Sequence, residues 1–154
     1  MHPVVFWLIF TVIGVWAQRL LPGVDFFAPA LVVCLQQRRI TQFVWLTLAW
    51  IILQEGMGNL PFGNLLLWYS GLVLIFVVGR WLFESRNLIF VFIIGIFMGS
   101  WHFLLTQIMT NLQVLEVNRA QLLLEGVHQA VIFPLAWAIT YNVYKRMVPD
   151  VGPL

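Results

Sequence analysis

An acid closes an apolar run at Gln54-Glu55-Gly56-Met57-Gly58-Asn59-Leu60-Pro61-Phe62-Gly63. Three glycines and a proline within residues 56–63 cannot continue a helix cheaply, so the segment reads as a broken turn with exposed backbone. In a bilayer such backbone is tolerated only where it is buried in protein or lines a cavity. One reading is a ligand or contact site built on Glu55 and Asn59; the plainer one is an interfacial turn whose acid points to water. Glu125 and His128 stand at i and i+3, on one helix face, and match half of a carboxylate di-metal motif. The chain has no second Glu-x-x-His. A capping or interfacial pair near the start of the last span is therefore expected, and no metal site is assigned.

His102 lies mid-run after Trp101, with Ser100, Thr106 and Gln107 nearby. It suits a proton or substrate path or, more simply, a hydrogen bond between helices. Gly95 and Gly99 form a small-xxx-small pair that admits a second helix, from this chain or a partner. Cys34 reads as a small core residue, and a lone cysteine excludes an intramolecular disulfide framework and a cysteine-rich metal site. No phosphate-cradling glycine loop, nucleophile elbow or pair of catalytic carboxylates is present. No catalytic residue, cofactor or metal is expected, and an enzyme is the poorer reading.

The elements that position these groups follow from composition. Of 154 residues, 62% are hydrophobic and 9% charged, against roughly a quarter charged in soluble domains. Such a chain cannot cover a water-facing surface. A net charge of +2 from dispersed Lys and Arg gives no footprint for nucleic acid. The eight tryptophans suit anchoring at the membrane interface.

Runs without charged side chains cover residues 1–18, 26–37, 40–54, 56–79, 87–115 and 126–144. A crossing helix needs about 20 apolar residues. The first, fourth, fifth and sixth runs meet that, the third is marginal, and the second, interrupted by Pro29, is short. The first lacks a basic leader and a small-x-small cleavage site, so it is expected as a retained helix. If the second run crosses, Arg38, Arg39, Arg80, Arg86, Lys145 and Arg146 share one side and only Arg19 and Arg119 the other. That is the positive-inside pattern with both termini in the cytoplasm. The expected fold is all-α: a polytopic integral membrane bundle of six transmembrane helices, the second short, or five if it does not cross. Residues 1–146 form one transmembrane domain and 147–154 a short cytoplasmic tail.

Within residues 21–69 the order of features is specific. Leu21-Pro22-Gly23-Val24-Asp25 leads into a brief apolar run closed by Arg38-Arg39. The third span stops at Gln54-Glu55-Gly56, and Pro61-Phe62-Gly63 opens the fourth. This order resembles the MreD family, the small membrane subunit of the bacterial rod-shape machinery. Its members carry a Pro-Asp lead-in to the second segment, a basic pair after it, and a Gln-Asp turn leading to Pro-x-Gly. Here Glu55 stands where the family more often has aspartate, Val24 rather than proline precedes Asp25, and the second half carries no matching motif.

The resemblance implies a non-enzymatic scaffold of the bacterial inner membrane. It would act with MreC and link MreB filaments to elongation-specific peptidoglycan synthases. Asp25, Gln54, Glu55, Asn59, Pro61 and Gly63 become candidate partner contacts at the outer turn. Arg38, Arg39, Arg80 and Arg86 become candidate inner-surface contacts to anionic lipid or acidic partners. The rival reading is the substrate-binding membrane subunit of an energy-coupling transporter, using Glu55, Asn59, Trp68 and His128. An intramembrane enzyme using His102 or His128 would need a catalytic partner that the sequence does not supply.

Overall fold

The computed structural model describes residues 2–56, 63–84, 87–112, 116 and 118–148. Asn59, Pro61 and Arg86 among the expected contacts, and the tail after residue 148, lie outside the described residues. Six α-helices follow one another: α1 (Pro3–Leu20), α2 (Phe27–Gln36), α3 (Ile40–Gly56), α4 (Asn64–Leu82), α5 (Leu88–Leu112) and α6 (Arg119–Met147). No strand occurs among the described residues. The molecule is an all-helical bundle.

Local chemistry starts these helices where they start. Pro3 opens α1 behind His2, whose Nδ1 accepts the Val4 N–H. Asn87 Oδ1 accepts from Ile89 N ahead of α5, and Asn118 caps α6 by accepting from Ala120 N. That cap corrects the expected start of the last helix. Glu125 and His128 lie about two to three turns inside α6 and cap nothing, because the polar stretch Arg119-Ala120-Gln121 is itself helical.

Four helices, α1, α4, α5 and α6, are long and apolar enough to cross a membrane. The 17 residues of α3 rise about 25 Å, just short of a hydrocarbon core of about 30 Å. The ten residues of α2 rise only about 15 Å, half that thickness.

Side-chain contacts fix the helix directions. At one end Phe6 of α1 meets the Tyr144 ring of α6 edge-on at 5.2 Å, and Tyr144 Oη and Trp7 Nε1 both donate to Gln42 Oε1 of α3 at 3.1 Å. Phe83, just after α4, stacks on Phe90 of α5 at this same end. At the other end Gln18 of α1 reaches Gln54 of α3 and Asp25 ahead of α2. The helices therefore alternate in direction, and α1 begins where α6 finishes.

The short helix α2 lies inside the bundle. Asp25 N donates to Gln129 Oε1 just before it, and Trp137 Nε1 donates to Gln36 Oε1 at its last residue, both at 2.8 Å. Gln129 and Trp137 each stand ten residues from an end of α6, so α2 runs beside the middle of the longest helix. Its sequence, FAPALVVCLQ, has no polar face because it has no exposed one: Phe27, Ala28 and Ala30 through Val33 are fully buried, and Cys34 nearly so. Pro29 falls in the first turn, where the missing N–H has no helical partner to lose.

The tryptophans depart from the interfacial expectation. Trp16 and Trp81 face outward, but Trp7, Trp50, Trp68 and Trp137 are buried. Each buried indole N–H is bonded to a side chain on another segment: Gln42, Thr11, Asp25 and Gln36 respectively. In lipid, association rests on close packing and on such hydrogen bonds, since apolar burial gains little against acyl chains. Large rings with one donor supply both. Phe27 stacking on Trp50 at 4.5 Å joins α2 to α3 in the same way.

The closest helix pair is α5 with α6. A Cβ at Gly99 would overlap the Gly126 carbonyl oxygen, so the two backbones touch there. One turn away, a Cβ at Gly95 would stand 2.9 Å from the Ala130 carbonyl oxygen. Pro134, inside α6, has no N–H with which to bond that carbonyl, which instead faces the bare Cα of Gly95. Gly95 and Gly99 thus pack within the chain.

Candidate functional site

Polar side chains converge where α1 and α3 end and α2 and α4 begin. Asp25 sits at the centre. Its Oδ1 accepts from Phe27 N at 2.8 Å and from Gln18 Nε2 at 3.1 Å; its Oδ2 accepts from Trp68 Nε1 at 2.7 Å. The bond from Phe27 makes the carboxylate a cap for the buried helix α2, and negative charge at a helix N-terminus is favourable. Gln18 also reaches Gln54 Oε1 at 3.5 Å, and Gln54 Nε2 donates to Tyr69 Oη at 3.0 Å. Asp25 belongs to the connection between α1 and α2. Burial pushes its carboxyl above the usual aspartate value, while the hydrogen bonds from Phe27, Trp68 and Ala28 pull the other way without prevailing.

A cavity of about 190 Å³ adjoins this network. Its polar lining is Gln18, Asp25, Gln54, Asn64, His102 and Thr106, with the Trp68 indole; Gly23, Val24, Leu65 and Leu105 complete the wall. Asn64 Oδ1 is buried there with no hydrogen-bond partner, an uncommon and costly state for an acceptor. Further out, the Trp68 ring meets His102 edge-on at 5.8 Å, His102 Nε2 lies 3.3 Å from Glu125 Oε2, and Gln121 Nε2 donates to Glu125 Oε1 at 3.2 Å. Gly23, at φ +86°, passes directly under Glu125; a side chain there would meet both an unfavourable backbone region and the Glu125 stem.

The sequence-derived candidates divide accordingly. Asp25 and Gln54 share the central network. Glu55 is turned toward α4: its Oε1 accepts from Gly63 N at 3.0 Å and Leu65 N at 3.2 Å. Glu55 therefore caps a helix that has no capping side chain of its own, since Gly63 holds the N-cap position at φ +86°. Replacing Glu55 with alanine is expected to cost about 1 kcal/mol, read as a lower thermal midpoint in detergent. Glu125 pairs with His102 across helices, whereas His128 is exposed. Arg38, at φ 55°, and Arg39 form the turn after α2, and Arg80 lies in the last turn of α4, all toward the Tyr144 end.

Reading the sequence alone missed Gln18, Asn64 and Gln129 as members of this site. The available signal was glutamine within uncharged runs, since polar groups at membrane depth need partners. The cluster can hold a polar or charged group by hydrogen bonding. Among the described residues no group of three or more His, Cys, Asp or Glu is arranged to hold a metal ion. No protein-family model, curated protein or solved structure matches this chain.

Proposed function

We propose that this chain is a membrane scaffold subunit of the bacterial cell-elongation machinery, similar to MreD, linking MreB filaments and MreC to peptidoglycan synthesis. The observation that carries this reading is convergence. Of the residues that carry the sequence resemblance, Asp25 before α2, Gln54 and Glu55 at the end of α3 and Gly63 before α4 lie at one end of the bundle, and Arg38 and Arg39 lie at the other. The function so read is non-enzymatic: a chain that is almost all helix in the membrane communicates through helix faces and short turns. The membrane is the bacterial inner membrane, with the Tyr144 end, its basic turns and both termini on the cytoplasmic side. There Arg38, Arg39 and Arg80 would meet anionic lipid or acidic partner surfaces, and the Asp25 end would receive a partner segment from outside.

Mild-detergent capture of the tagged protein from its native membrane tests this. MreC, MreB or elongation synthases are expected to come with it, and a C-terminal topology reporter is expected to read cytoplasmic. Capture of ATPase and coupling subunits instead would overturn the scaffold reading. That outcome belongs to the second reading, a substrate-binding transporter subunit, which the cavity beside Asp25 favours. Its volume of about 190 Å³ argues for the scaffold, since small-molecule pockets usually occupy about 300–1,000 Å³.

A further inference from the structure

We propose that the cavity beside Asp25 is a binding site for a protonated primary amine, an ammonium group on a short alkyl stem. The inference stands on the cavity and not on the scaffold reading. Three features of the lining select this chemistry.

The first is charge. Asp25 is half-buried, and its hydrogen bonds come only from neutral donors: the side chains of Gln18, Trp68 and Tyr69 and the backbone N–H groups of Phe27 and Ala28. None of the residues lining the cavity is Lys or Arg, and the one imidazole there, His102, faces Glu125. A carboxylate largely withdrawn from water and without a countercharge is an incomplete arrangement.

The second is an unpartnered acceptor. Gln18 and Gln54 use their amide N–H groups on Asp25, on each other and on Tyr69. Asn64 Oδ1, on the same wall, is a buried acceptor with no partner at all. An ammonium brings three donors and no acceptor. A guanidinium would need a free carboxylate edge for its planar fork, whereas both oxygens of Asp25 already carry bonds. The compact ammonium needs only one lone pair from each of several acceptors.

The third is shape. Val24, Leu65 and Leu105 provide an apolar wall for the stem, and the volume suits a side-chain-sized group better than a cofactor. Two sources fit this chemistry: a lysine side chain reaching in from a partner, or a free alkylamine.

The test uses the full chain in detergent, with n-butylammonium as the probe. Butylammonium is expected to raise the thermal midpoint saturably. Butanol, which lacks the charge, and tetramethylammonium, which lacks the N–H donors, are expected not to. Asp25→Asn is expected to abolish the rise. Asn64→Leu, which leaves the α2 cap untouched, is expected to reduce it at least tenfold in apparent affinity. No rise in the wild-type protein, an equal rise with tetramethylammonium, or an undiminished rise in folded Asn64→Leu would overturn the proposal. Carbodiimide treatment of native membranes separates the sources. A cross-link from the Asp25 peptide to a lysine of another protein assigns the amine to a partner; a small primary amine extracted from the purified chain assigns it to a free ligand. Binding of butylammonium without capture of any elongation protein would keep the site and remove the scaffold reading. The reverse result would remove the site alone.

Discussion

Replacing Asp25 with alanine is expected to lower the thermal midpoint of the purified protein more than any other single substitution in the polar network. Three donors, Gln18 Nε2, Phe27 N and Trp68 Nε1, converge on its two oxygens. Alanine leaves Phe27 N and Trp68 Nε1 facing a space with no acceptor and Gln18 Nε2 with only its long contact to Gln54. An orphaned donor withdrawn from water costs about 1–3 kcal/mol, so two of them cost roughly 2 kcal/mol or more, a large share of a typical folding free energy. Asp25→Asn should cost less, because one carbonyl oxygen can still serve Phe27 and Gln18 while only Trp68 meets an amide N–H.

The same pair reports on protonation. Burial raises the Asp25 carboxyl above its usual value, so the folded protein holds this proton to a higher pH than the unfolded chain does. The stability it contributes is full below the unfolded value and lost as pH rises through the folded one. Asp25→Asn should flatten that part of the profile. An unchanged profile would show that another group governs it.

The second large effect is expected at Gly99. A Cβ there overlaps the Gly126 carbonyl oxygen, and a Cβ at Gly126 would in turn stand 2.9 Å from the Gly99 oxygen. Both obstacles are backbone, which cannot swing aside as a side chain can. Gly99→Val must therefore separate α5 from α6 or bend one of them, at about 1–3 kcal/mol and upward. In lipid no compensating hydrophobic gain restores the contact. Gly56→Ala is the control, because nothing lies within 4 Å of the added carbon. Unfolding midpoints of the two variants should differ by many degrees; equal midpoints would mean that the Gly99–Gly126 contact contributes little.

Much of the element order is legible in the charges. Arg38-Arg39 and Glu55 sit at the ends of helices because charge is costly in hydrocarbon, and each marks a boundary that the structure retains. The inward faces are not legible in the same way. Acyl chains are as apolar as leucine, so hydropathy does not distinguish Trp50, which is buried, from Trp16, which faces outward. The site itself depends on pairings across the whole chain, such as Asp25 with Gln129, 104 positions apart. Local spacing suggested Glu125 with His128; the fold joins Glu125 to His102 instead, because α5 and α6 lie in backbone contact. Spacing along one helix carries no information about its neighbour.

The shortness of α2 has an electrical consequence. Along most lines through the bundle, about 30 Å of low-dielectric material separates the two aqueous phases. Along α2, polar groups begin at Asp25 and resume at Arg38 and Arg39, about 15 Å of helix away. Where water reaches both ends of α2, the membrane voltage falls over roughly half the usual distance, and the local field there is about twice as strong. In the orientation proposed above, with the arginine end inside, a negative-inside potential draws those guanidinium groups toward the cytoplasm, on a scale of about 2.3 kcal/mol per elementary charge per 100 mV. An energised membrane would hold this inner helix in tension along its axis, and a cation arriving at Asp25 would reach the mouth of that concentrated field.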